Sequence, residues 1–274
     1  MGKKPKCVMI LSEGPSDRVA LSEFFTNLYS MIDPDIEVLF PRLSEEFLDD
    51  DGKVDFKYNG DITSRFGING NNVLPMLLKL FIHPELKKHP AYKYPASVYE
   101  IIHLVDIDGV YLKDGKIQNS EDQNIKCPYY DDGNNIIITK DREALIDRNQ
   151  RKRENLDRLI NTKRLRITME KEANESKGKP YRVFFFSRDL DHVLYGKSNN
   201  EHYNKVDDAQ KFANKYYDDP LAMAKFFINH ACASPVVDYK GSWQWLKDDH
   251  DTLMPRTNIN VLILDLLKRA KVSF

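Results

Sequence analysis

The 274 residues are 41% hydrophobic and 11% aromatic, enough to bury one large α/β core, or a core plus a substantial insertion. Charged residues make up 30%, yet Lys plus Arg (41) nearly cancel Asp plus Glu (42), giving a formal net charge of -1 and a pI near 6.7. No whole-molecule field draws in nucleic acid or an anionic membrane, so any contact with a polyanion must be local.

Short β-rich apolar runs at residues 7–11, 36–40, 98–105 and 182–186 have strand length and strand composition. Between them, Pro15 suits a first helical position, and Leu21, Phe24, Phe25 and Leu28 recur on one helical face. Residues 73–81 form a second such helix. Strand-helix alternation with nearly continuous apolar strands predicts a mainly parallel sheet covered on both faces, a Rossmann-like α/β layout. Residues 110–117 read as a hairpin and 136–139 as a further strand, and 141–175 as helical. Helices are predicted near 207–217, 220–232, 241–249 and 259–271. The expected division is a first core part at 1–112, an insertion at 113–180, and core completion with C-terminal helices at 181–274.

The run at 7–11 is too short for a signal peptide or a membrane span, and no other run is long enough. Cys7, Cys127 and Cys232 stand far apart, with no CxxC and no His at zinc spacing, which reads as thiols in a reducing cytoplasm.

Function in such sheets collects at the C-terminal ends of the strands, and acidic residues gather at these ends. The first strand runs into Ser12-Glu13-Gly14-Pro15-Ser16-Asp17, just before a helix. Carboxylates there either cap the helix or hold a cation. The third strand runs into Asp106-Ile107-Asp108-Gly109, and strand alternation would send both aspartates to one side. Two carboxylates leaving a buried strand need a cationic partner. No Lys or Arg lies within three residues before them, so Mg²⁺ or Mn²⁺ is the economical choice, with a distant Arg or backbone amides as the alternative.

Glu13 through Asp17, followed by Asp106-Ile107-Asp108, resembles the TOPRIM domain, whose pattern is a glutamate after the first strand and a DxD after a later one. The chain looks closest to small TOPRIM nucleases of the OLD and phage-defence type. That resemblance implies a metal-dependent nuclease acting on DNA or RNA, with Glu13, Asp106 and Asp108 catalytic and metal-binding. It implies Asp17 as a second acidic ligand of an ExxxD arrangement. Phe186-Ser187-Arg188-Asp189-Leu190-Asp191 resembles a later acidic turn that would add Asp191 to the metal ligands. Tyr239-Lys240-Gly241 resembles a lysine that would neutralise transition-state charge. Antiviral function and an ATPase partner are further implications; a homo-oligomer is left open.

Leu104-Val105-Asp106-Ile107-Asp108-Gly109 also resembles the first motif of haloacid-dehalogenase-like phosphatases, with Asp106 as nucleophile. That reading leaves the first strand and helix unexplained. A non-catalytic TOPRIM binding or scaffold module is the third reading.

From Lys140 to Arg166, ten Lys or Arg face five Asp or Glu. Arg151, Lys152, Arg153, Lys163 and Arg164 flank the apolar stripe Leu156, Leu159 and Ile160, so the opposite helix face can bind phosphates or simply be solvated. Gly67-Ile68-Asn69-Gly70-Asn71-Asn72 reads as an anion-binding nest or an ordinary turn, and it lacks the lysine of a P-loop. His192 beside Asp191 reads as a packing or surface histidine.

Overall fold

The computed structural model describes residues 5–41, 61–92, 95–122, 125, 128–167, 178–197, 199, 204–248 and 253–273. The run Lys6–Leu11 forms β1, whose side chains alternate between two buried faces: Cys7, Met9 and Leu11 on one, Val8 and Ile10 on the other. Helix α1 (Pro15–Ile32) starts with Pro15, whose missing N–H is tolerated at this position, and Asp17 accepts from the Gly14 N–H at 2.9 Å. It leads into β2 (Ile36–Leu39).

After Asp61, α2 (Val73–Leu77) runs through a wide turn at Leu78–Ile82 into α3 (His83–Lys88). Pro84 has no N–H to give the preceding turn, and the helix widens just before it, with His83 N–H reaching back five residues to the Leu78 carbonyl. Strand β3 (Val98–Asp106) follows. The expected hairpin at 110–117 does not form. Val110 and Leu112 are buried in a run of turns, and a three-stranded sheet is built instead from β4 (Ile117–Asn119), β5 (Tyr129–Asp131) and β6 (Ile136–Thr139). Its hairpin joins β5 to β6, where the Asp131 carboxylate accepts from the Asn134 backbone and side chain.

Helix α4 (Arg142–Ile160) is capped by Asp141, which accepts from Ala144 N–H, and it ends well before residue 175. Beyond it comes β7 (Arg164–Leu165), while residues 168–177 lie outside the described residues. Strand β8 (Lys179–Ser187) leads to α5 (Leu190–Tyr195), α6 (Lys205–Lys215), α7 (Pro220–Asn229), α8 (Tyr239–Asp248), β9 (Arg256–Thr257) and α9 (Ile259–Arg269).

The main sheet runs β2-β1-β3-β8-β7, with β9 also on β8; β2, β1, β3 and β8 are mutually parallel, and β7 and β9 are antiparallel. One face packs on α2, α3, α4 and α8 through residues such as Leu77, Leu86, Leu156 and Trp243. The other packs on α1, α6, α7 and α9 through Phe25, Phe212, Phe227 and Leu262. This is an α/β fold with a mostly parallel sheet between helical layers. Within the range expected as an insertion, α4 shares the main core and β7 joins the main sheet. The chain steps from β1 to β2 on one side and returns to β3 on the other. Strand order therefore reverses between β1 and β3, the place where such sheets open a crevice at their C-terminal edge.

No described helix is long and apolar enough to cross a membrane. Cys7 and Cys232 are free, and Cys127 lies outside the described residues.

Candidate functional site

Glu13 follows β1 and its Oε1 accepts from the Asp106 N–H at 3.1 Å, tying the ends of β1 and β3 across the switch point. Strand β3 ends at Asp106. The chain then turns sharply, with Asp108 at φ 50° and Gly109 at φ 72°. The turn is pinned to the end of β8: Ile107 N–H bonds to the Phe186 and Arg188 carbonyls, and Asp108 N–H to that of Arg188. Asp tolerates the left-handed region better than most residues.

Because the strand stops at Asp106, the alternation that would align the two aspartates no longer applies. They have different neighbours. Asp108 pairs with two cations of α4, Arg148 Nη2 at 2.6 Å and Lys152 Nζ at 2.9 Å. Asp106 makes no ion pair among the described residues and feels the carboxylates of Glu13, Asp17 and Asp189.

A carboxylate absent from the sequence reading completes the first set. Asp61, Glu13 and Asp108 each bring an oxygen within 4.8 Å of the other two. Asp61 is fixed by its own turn, accepting from Thr63 N–H, Thr63 Oγ1 and Ser64 Oγ, and from Lys152 Nζ at 2.9 Å. Three converging carboxylate oxygens suit a hard divalent cation. The Lys152 ammonium, fully buried, stands among them, 3.6 Å from Glu13.

The charges respond to this crowding. Burial, together with Asp61 and Asp108, pushes Glu13 well above the usual carboxylate range. Burial alone would also raise Asp61 and Asp108, but Lys152 outweighs it, with the Ser64 and Thr63 hydroxyls for Asp61 and Arg148 for Asp108, and holds both below normal. Asp106 is driven well up by burial and then by Glu13 and Asp17.

A second acidic set adjoins the first. Asp17, buried in the first turn of α1, is raised by burial to about 7, with Asp191 and Asp189 adding to the shift. Asp191 is buried on α5 and pairs with Lys205 Nζ at 2.9 Å. His103, on β3, bonds through Nδ1 to Tyr181 Oη at 2.8 Å, and burial lowers it to about 4.

The chain matches no protein-family model, no curated protein and no solved structure.

The five basic residues grouped by the sequence separate. Lys152 is turned into the carboxylates and is not on an exposed face. Arg153 bonds to the Val110 carbonyl, and Arg151 lies over the Phe66 ring. Lys163 and Arg164 are exposed, but β7 pairs with the start of β8, which puts them at the opposite end of the sheet from the acidic residues. Lys240 is exposed at the start of α8 and makes no ion pair with the acidic residues. The cations beside Glu13, Asp61 and Asp108 are Lys152 and Arg148, and Lys205 stands beside Asp191.

The loop of residues 67–72 is a self-bonded turn: Asn72 Oδ1 accepts from Asn69 N–H and its Nδ2 donates to the Gly67 carbonyl. His192 is buried, with Nε2 3.6 Å from Asp132, so it packs. The sequence signal for Asp61 was Asp-Ile-Thr-Ser, which marks a turn but says nothing of its partners.

Proposed function

We propose that this chain is a metal-dependent phosphodiesterase acting on nucleic acid, a nuclease of the TOPRIM type that resembles OLD and phage-defence members. The observation that carries the reading is the convergence of Glu13, Asp61 and Asp108 at the C-terminal edge of the sheet, where strand order reverses. Glu13, Asp61 and Asp108 would hold Mg²⁺ or Mn²⁺, whereas Asp17, Asp106 and Asp191, expected from the sequence as ligands, lie outside that group of converging oxygens. The bound ion would supply Lewis-acid polarisation of the phosphoryl oxygen and a lowered pKa for its water. Glu13 would either share in holding the ion or, once ionised, accept a proton from the attacking water. Lys152 and Arg148 take the charge-neutralising role expected of Lys240. An ATPase partner and a role in antiviral defence belong to this reading through the resemblance alone.

A second reading has its own observation. Lys152 sits within 2.9, 2.9 and 3.6 Å of the three carboxylates, which is how a self-satisfied ion cluster in a binding or scaffold module would look. The phosphatase reading leaves β1 and α1 without a role, although β1 lies within the central sheet.

The test is cleavage of DNA and structured RNA by the purified protein with Mg²⁺ or Mn²⁺. Glu13→Gln and Asp108→Asn should each abolish cutting while circular dichroism stays unchanged. Cutting that survives excess EDTA, or both substitutions, would sink the reading. Function that tolerates Asp106→Ala and Asp108→Ala would favour the scaffold. Phosphate release from small phosphomonoesters without strand cleavage would favour the phosphatase.

A further inference from the structure

Phe66 is 78% exposed, the highest value among the large hydrophobic residues described. A single exposed ring is ordinary; its setting is not. It lies five residues after Asp61, on a loop clamped to α4: Asn155 Nδ2 donates to the Thr63 carbonyl at 2.8 Å and to that of Ile68 at 3.1 Å, and Lys152 Nζ holds Asp61. The Arg151 guanidinium lies over the Phe66 ring, 5.9 Å from its centroid. Arg151 and Lys152 are consecutive, so one turn of α4 sends one cation into the carboxylates and the next onto the ring. Arg151 has no ion pair among the described residues, which leaves its charge available. Helix α4 carries six Lys or Arg (Arg142, Arg148, Arg151, Lys152, Arg153, Arg158) against four Asp or Glu (Glu143, Asp147, Glu154, Asp157), a net of +2 in a chain of net -1.

We propose that Phe66 and Arg151 form a stacking platform for an unpaired nucleobase, so that the substrate of the neighbouring acidic site is single-stranded or locally unpaired nucleic acid. This deepens the nuclease reading and rests on it for what happens next to the platform. A flat apolar ring beside a free guanidinium fits a ligand that offers a π-face and a phosphate in one repeating unit. Bases in a duplex hide their faces in the stack, whereas unpaired bases offer them.

The experiment is fluorescence anisotropy of a labelled single-stranded oligonucleotide and of a fully paired, blunt-ended duplex, in EDTA so that nothing is cut. Phe66→Ala should weaken single-strand binding about tenfold with little effect on the duplex, Phe66→Trp should preserve it, and Arg151→Gln should weaken both and reduce the salt dependence. Because the ring is exposed, Phe66→Ala should melt like the native chain. The proposal is overturned if native protein binds no single strand, if Phe66→Ala binds it unchanged or loses duplex binding equally, or if Phe66→Trp is as weak as Phe66→Ala. Cleavage with Mg²⁺ is scored separately. Binding that depends on Phe66 without any cutting leaves the platform standing and removes the nuclease reading, while cutting that depends on Glu13 but ignores Phe66 does the reverse.

Discussion

Lys152 is a fully buried cation whose three partners come from the ends of β1 and β3 and from the loop before α2. Removing one partner of a buried ion cluster leaves the others uncompensated, which costs about 3–5 kcal/mol. Lys152→Met keeps the length of the side chain and deletes the charge, so it should lower the metal-free stability by roughly that amount in urea unfolding. If the carboxylates form a cation site, Mg²⁺ or Mn²⁺ should raise the melting temperature of Lys152→Met more than that of the native chain, because the ammonium no longer competes. A variant as stable as the native protein, or one that ignores divalent ions, would contradict this account. The sequence showed Lys152 as one of a basic run, since neighbouring charges look alike until the helix is rotated against a core.

At the scale of elements, the turn after β3 decides where Asp108 points. Gly109 has φ 72°, and a Cβ there would meet Ile137 Cδ1 at 2.7 Å and Leu253 Cδ2 at 3.1 Å. Gly109→Ala therefore combines a disfavoured backbone with a clash against the small sheet, and should destabilise by about 1–3 kcal/mol. If the carboxylates hold a divalent ion, it should also weaken that binding by shifting Asp108, measurable by calorimetric titration; full stability with unchanged affinity would show that the turn is not constrained as described. Helix α4 is the other deciding element. Its apolar stripe at Leu156 and Leu159 was legible from 3.6-residue spacing, and the structure docks it in the main core. The pairing of Arg148 and Lys152 with Asp108 and of Arg151 with Phe66 was not, because each of these partners lies 40 or more residues away in sequence.

For the whole molecule, the buried titrating groups set two opposed trends with pH. Asp17 has a folded pKa raised to about 7, so the folded state binds its proton more tightly than the unfolded chain. Its contribution to stability is complete below the unfolded value of 3.8 and is lost as pH rises toward 7. His103 and His192 are lowered by burial to about 4, so their contribution is present above the ordinary histidine value of 6.5 and lost as pH falls toward 4. Asp17→Asn, which keeps an acceptor for the Gly14 N–H, should stabilise the metal-free protein at pH 8 relative to pH 5; an unchanged pH profile would show that Asp17 does not titrate as described. At the proposed site a divalent ion would displace a proton from the raised Glu13 carboxyl. Affinity should therefore increase from pH 6 to 8 with net proton release, seen as a dependence of the calorimetric enthalpy on buffer ionisation. Binding without proton release would place the ion away from Glu13.

What the sequence determined by itself is what local periodicity carries. Strand-length apolar runs located β1, β2, β3 and the core of β8, helical spacing located α1 and most later helices, and the carboxylates at the ends of β1 and β3 were placed at one sheet edge. Only the tertiary structure decided which of these meet. The order β2-β1-β3-β8 puts Glu13 beside Asp108, the left-handed turn at Asp108 breaks the alternation that would have aligned it with Asp106, and packing of α4 brings Lys152 across 91 residues to Asp61. Side-chain direction within an element repeats every two or 3.6 residues and can be read along the chain. The choice of an ionic partner depends on how whole elements rotate and dock, and that follows from the packing of both faces of the sheet at once.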